Sequence, residues 1–158
     1  MKRLLIVWHT QLGGTAQMAA AAVAGARSIE DVRTVEKRAH EAGVEDALAA
    51  DAYLIGCSEN FGGIAGIVKD FFERIYYPCE GKLEGRAWSA FVCAGTDGTG
   101  AMLGLDRIAT GLRLRKVHAG IIHRSGEVAR VQEVPQAVLA QCRELGATMA
   151  AGLSAGLW

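Results

Sequence analysis

Short apolar runs alternate with stretches of helical spacing along the whole chain, and that alternation limits the fold more than any other feature. The runs are Leu4-Leu5-Ile6-Val7-Trp8, Ala52–Cys57, Ala87–Ala94 and Lys116–Ile122, with a weaker one at Asp31–Glu36. Between them Met18, Ala22, Val23 and Ala26 share one face of a helix over about Gly14–Arg27, and Ile64, Ile67, Val68, Phe71, Phe72 and Ile75 share one face of another, followed by a loop from Tyr76 to Arg86. Ala101, Leu105, Ile108, Ala109 and Leu112 make a third, and Val138, Cys142, Leu145 and Met149 a fourth, opening near Pro135. Strands that are apolar throughout are buried on both faces, which argues for a parallel sheet covered by helices. Right-handed crossovers then give a three-layer α/β sandwich with a five-stranded parallel sheet, for which the order 2-1-3-4-5 is the common solution at this length. The 158 residues suit one domain, with no linker or repeat.

In that topology the loops after strands one, three and four leave the same edge of the sheet and gather at one cleft. The first runs His9-Thr10-Gln11-Leu12-Gly13-Gly14-Thr15 into an alanine-rich helix. A helix start offers free N–H groups and the positive end of the dipole, and Thr10 and Thr15 add hydroxyls without charge. A phosphate monoester and an ordinary βα turn both fit this loop. The second loop is Ser58–Gly63 and the third Gly95–Gly100. Their glycines serve turns or let backbone approach a flat ligand. Phe61 is either a lid or stacking plate, or tucks onto the following helix.

Charge and spacing exclude several classes. Seventeen basic residues balance seventeen acidic ones with no basic stripe, so nucleic acid and a polybasic membrane anchor have no electrostatic support. The first loop is not G-x-G-x-x-G, and no G-x-x-x-x-G-K-[ST] occurs. The places that an acidic phospho-receiver would fill hold His9-Thr10 and Cys57-Ser58. Neither the Cys57 nor the Cys93 loop carries an arginine to cradle phosphate beside a nucleophilic cysteine. Cys57, Cys79, Cys93 and Cys142 form no C-x-x-C pair and no zinc-like set; they read as reduced and structural, which with the aborted apolar start (too short for a leader) places the protein in the cytoplasm. No stretch is long enough to span a bilayer. His123 closes strand five, where it is either an acid for proton transfer at the cleft edge or a solvated strand end.

The span Asp51–Arg74, DAYLIGCSENFGGIAGIVKDFFER, resembles the flavodoxin-like superfamily, within it the quinone reductases of the tryptophan-repressor-binding-protein type and NAD(P)H-dependent FMN reductases. Thr10–Thr15 and Ala94–Gly100 support it, and the likeness runs roughly from Lys2 to Gly120. The resemblance implies FMN. Thr10, Gln11, Gly13, Gly14 and Thr15 would hold its phosphate, Ser58, Glu59, Asn60, Phe61 and Gly62 would edge the ring, and Thr96, Asp97 and Gly98 would close the other side. It departs from the family at Ser58, where proline is common, and at Gly14, where a polar residue is common. It implies an enzyme that passes electrons from NAD(P)H through FMN to a quinone or similar small acceptor, assembled as a homodimer or homotetramer. A one-electron carrier of the flavodoxin kind is the alternative; such carriers tend to be acidic, and this chain is neutral. A fold that has lost its cofactor and serves as a scaffold is a third reading. Glu59 and Asp97 would either lower the potential of a nearby ring or point into water.

Overall fold

The computed structural model describes residues 1–126 and 133–158. Its elements follow the alternation above: β1 Lys2–Trp8, α1 Gly14–Arg27, β2 Val32–Arg38, α2 Val44–Ala49, β3 Ala52–Asn60, β4 Gly63–Ile64, α3 Gly66–Cys79, β5 Ala87–Ala94, α4 Thr99–Gly111, β6 Arg115–Lys116, β7 Ile121–Arg124 and α5 Gln136–Ser154. The sheet runs β2-β1-β3-β5, with the fifth position shared by β6 and β7, all parallel. This is the 2-1-3-4-5 order expected for a three-layer sandwich, with one short antiparallel addition, β4 on β3.

Each sheet face has its own core. Leu5, Val7, Ile55 and Val92 face α3 and α4, meeting Phe71, Phe72, Ile75 and Leu105. Leu4, Ile6, Leu54 and Phe91 face α1 and α5, meeting Met18, Val23, Leu145 and Met149. Truncating a ring as buried as Phe91 costs about 3–5 kcal/mol. The alanines of α1 have a packing reason. A Cβ at Gly25 would lie 1.9 Å from the Arg143 carbonyl oxygen, and one at Gly146 would lie 1.9 Å from that of Ala22, so α1 and α5 touch backbone to backbone.

Four boundaries differ from the sequence reading. β2 starts at Val32 and runs on to Arg38. β3 continues past Cys57 to Asn60, because Glu59 and Asn60 pair with Ile64 and Gly63 across a two-residue turn. α3 starts at Gly66, so Ile64, expected on its apolar face, lies in β4 and Ile67 is exposed; the helix extends to Cys79, with Pro78 in its last turn, because Cys79 is drawn into the core with Leu83. The fifth strand, expected unbroken over Lys116–Ile122, splits into β6 and β7. Trp88 registers with Lys116 but Phe91 with Ile121, so two extra residues bulge between them. Gly120 closes the bulge at φ +86°, where a side chain would strike the Ala90 carbonyl.

Candidate functional site

The carboxyl ends of β1, β3 and β5 enclose a cleft of about 180 Å³ lined by Thr10, Gln11, Leu12, Gly14, Thr15, Ser58, Glu59, Asn60, Cys93, Ala94, Gly95 and Ser125. Among the described residues no lysine or arginine lines it. Of the residues expected from sequence, the structure brings together Thr10, Gln11, Gly14, Thr15, Ser58, Glu59 and Asn60.

The first loop is shaped by its backbone. Gly13 takes the left-handed conformation at φ +98° and caps α1 with no side chain, while its N–H donates to Thr10 Oγ1 at 3.0 Å. Accepting that bond fixes the Thr10 hydroxyl yet leaves its own proton free to donate. The first intrahelical bond runs from Gln17 N–H to the Gly13 carbonyl, so the N–H groups of Gly14, Thr15 and Ala16 have no intrahelical acceptor. No acidic residue occupies the first turn. Gly14 packs against the floor: a Cβ there would sit 2.6 Å from Cys93 Sγ. The sulfur of Cys93 thus takes the room that a side chain at position 14 would need. Burial pushes the Cys93 thiol up, so it stays protonated and presents no charge to the cleft.

Two hydroxyls in this cleft are buried without a partner. Thr15 Oγ1 and Ser58 Oγ make no hydrogen bond, although both residues are buried. Leaving such a group unsatisfied costs about 1–3 kcal/mol, and a ligand with acceptor atoms along its length would satisfy both.

The rim is built differently. Phe61 and Gly62 form the two-residue turn between β3 and β4, at φ +53° and +73°. Positive φ at both positions matches the twist of a tight hairpin, but an aromatic residue rarely adopts it. The Phe61 ring is fully exposed and touches no helix, so it does not tuck onto α3. Glu59 neither points into water nor stands free at the cleft edge. Its Oε1 accepts the Gly98 N–H at 2.9 Å and its Oε2 the Ala101 N–H at 3.0 Å. The carboxylate therefore caps α4, whose own cap residue, Gly98, has no side chain. Gly100 lies so close that a Cβ there would overlap the Gly62 carbonyl oxygen. Asp97 is occupied within its own loop: the Thr99 hydroxyl and N–H bond to it and hold its carboxyl below the ordinary range.

Some expected residues stand outside the enclosed space. Gly13 lies behind the loop, Phe61 and Gly62 form the exposed turn, Thr96 and Asp97 are exposed on the third loop, and Gly98 is buried under Glu59. His123 is neither solvated nor at the cleft wall. It is buried beside Cys93, its strand neighbour, with Nε2 unpartnered, and burial lowers its pKa. Sequence reasoning missed Cys93, Ala94 and Gly95, which the strand-end rule that found Ser58 would have reached. It also missed Ser125, hidden because the fifth strand was placed too early; its N–H and hydroxyl both donate to the Ala94 carbonyl. Among the described residues no group of three metal-ligating side chains gathers, and no helix is long and apolar enough to cross a membrane.

No protein-family model matches the chain. It is 33% identical over 100 residues to a flavodoxin of Aquifex aeolicus, covering 63% of this chain and 54% of that one. It is 28% identical over 117 residues to an NAD(P)H dehydrogenase (quinone) of Acidithiobacillus ferrooxidans, covering 61% and 58%. The matches thus span little more than half the length of either curated relative. Among solved structures, a WrbA-like flavodoxin of Agrobacterium tumefaciens superposes with a TM-score of 0.77 over 96% of both chains at 20% identity. The chain has the fold of the flavodoxins, and over somewhat more than half its length its sequence is similar to a flavodoxin and to a quinone dehydrogenase.

Proposed function

We propose that the chain is an FMN-binding flavoprotein that accepts electrons from NAD(P)H and passes them to a quinone or similar small molecule. The observation that carries the FMN reading is the pair of buried, unpartnered hydroxyls, Thr15 and Ser58, in a cleft that opens on an uncapped helix start. Those donors fit a phosphate ester. Thr10, Thr15 and the N–H groups that open α1 would hold the phosphate, with the helix dipole favouring its charge. Neutral donors supply every contact, so the site is strong only where water is excluded, as at Thr15 and Gly14. At about 180 Å³ the cleft is smaller than the ~300–1,000 Å³ of whole-ligand pockets, which suits one end of a longer molecule. Ser58, Asn60 and the backbone of Gly95 line the side toward the rim and would orient the other end.

Bound FMN would supply the electron-carrying chemistry itself. The chain contributes position and exclusion of water. The quinone dehydrogenase relative and the neutral net charge support the enzymatic reading. The flavodoxin relative of Aquifex aeolicus favours a second one, a carrier that serves a redox partner without oxidising pyridine nucleotides. Protein purified without added cofactor should release FMN, identified by chromatography. Oxidation of NADPH or NADH that saturates in both nucleotide and quinone supports the enzyme. Bound FMN without such turnover supports the carrier, and a colourless protein that takes up no FMN removes both. A homodimer or homotetramer is the proposed assembly; a monomer by light scattering removes it.

A further inference from the structure

Beside the first loop, at the outer edge of the sheet, Arg38 stands outside the cleft with two histidines in its neighbourhood. Trp8 and Arg38 are register partners at the ends of β1 and β2, and the guanidinium carbon of Arg38 stands 4.4 Å from the centre of the Trp8 ring. This contact holds the guanidinium over the ring, and its Nε is buried with no hydrogen-bond partner. Among the described residues no carboxylate pairs with the Arg38 side chain. His9 follows Trp8 directly, and its Nδ1 is also buried without a partner. Burial holds the His9 imidazole below its ordinary value; a hydrogen bond with Gln11 opposes this, and the charges of Arg38 and His40 add to it. His9 is thus within electrostatic reach of both Arg38 and His40. The nearby carboxylates have other partners. Glu36 accepts the Trp8 indole N–H and pairs with Arg27, and Glu41 accepts the Arg38 backbone N–H and lies 3.8 Å from His40.

A guanidinium held over an aromatic face, with no carboxylate partner, is a preorganised fork for a phosphate monoester. It differs from the cleft in kind. The cleft offers neutral donors in an enclosed space, whereas Arg38 offers a full charge at an open edge. An open edge beside a cleft suits the far end of an extended ligand whose reacting end must reach that cleft. The two pyridine nucleotides differ in one group, the 2′-phosphate of the adenosine end. We propose that Arg38, with His9 and His40, forms a second anion site that takes this 2′-phosphate and makes NADPH the preferred reductant. The inference rests on the reading that the chain oxidises pyridine nucleotides.

The test uses two redox-inert probes, adenosine 2′,5′-bisphosphate and 5′-AMP, titrated by calorimetry into the FMN-loaded protein and its Arg38→Gln and Arg38→Lys variants. The wild-type protein should bind the bisphosphate about tenfold more tightly than 5′-AMP, as a charge-assisted bidentate contact provides. Arg38→Gln should lose that preference, and Arg38→Lys, which keeps the charge but not the fork, should retain only part of it. FMN content should be the same in all three. Equal binding of the two probes by the wild-type protein overturns the proposal, as does a preference undiminished in both variants. Turnover then separates the two readings. If NADPH and NADH are oxidised equally well and Arg38→Gln changes neither, the second site fails while the oxidoreductase stands. If neither nucleotide is oxidised but the probe preference depends on Arg38, the oxidoreductase reading fails while the anion site remains.

Discussion

The floor of the cleft, made by the first loop and the end of β3 at Ser58, and the rim, made by the Phe61-Gly62 turn with Glu59 and the third loop, lie at the same sheet edge, yet their polar groups are satisfied in opposite ways. In the first loop, Thr15 Oγ1 and, across the cleft, Ser58 Oγ are buried with nothing to bond, and the start of α1 has no side-chain cap. On the rim the two carboxylates are already paired: Glu59 spends both oxygens on the start of α4, and Asp97 accepts from Thr99. The cradle therefore holds unsatisfied bonding capacity for a ligand, while the carboxylates of the rim are satisfied without one. Ligand affinity should concentrate in the cradle, and the rim should set orientation.

The contrast breaks most severely at Gly14. Gly14→Asn drives a side chain into Cys93 and should cost about 1–3 kcal/mol of stability by overpacking, with FMN affinity falling by about a hundredfold or more. Adding Cys93→Ala should restore much of both, since the next nearest atom, Cys93 Cβ, lies 3.8 Å away. Fluorescence titration and thermal melts of the single and double variants check this. Thr15→Val sharpens the contrast by reversing a sign. It keeps the shape and removes an unpaired hydroxyl, so the ligand-free protein should hold or gain about 1 kcal/mol, while FMN binding weakens about tenfold or more. On the rim the order inverts. Glu59→Ala should lower stability by about 1–2 kcal/mol through loss of the α4 cap, with little change in the affinity contributed by phosphate. Comparing FMN with riboflavin in that variant separates the two terms.

The smallest effect is on pH. His123 is buried neutral, with its pKa below the ordinary 6.5, so the unfolded chain binds more protons than the folded one below that value. Its contribution is in place above pH 6.5 and is lost as pH falls toward the depressed folded value. His123→Gln should flatten the slope of stability across that interval in denaturant titrations at stepped pH.

How much could be read from sequence depended on whether a local signal was strong. α1 and β5 have the expected bounds, because glycines and unbroken apolar runs mark their ends. β2 drifted because it is a half-exposed edge strand whose pattern does not alternate. The hairpin was hidden because Ser58-Glu59-Asn60 is polar and the Phe61-Gly62 turn lacks the usual Asn-Gly or Asp-Gly signal. Glu59 as a cap for α4 was not legible, since the two are 39 residues apart at their closest bond and only the fold joins them. Cys93 was read as a core hydrophobe. It is one, but it also forms the cleft floor that makes glycine the residue at position 14.

The central claim is that the cradle of the first loop is a phosphate site and supplies most of the affinity for a flavin. Calorimetry of the ligand-free chain with FMN and with riboflavin tests it most directly. FMN should bind at least about a hundredfold more tightly than riboflavin, as two or more hydrogen bonds to a charged group provide, and Thr15→Val should narrow the gap. Absence of heat with FMN, or equal affinity for FMN and riboflavin, would contradict the account.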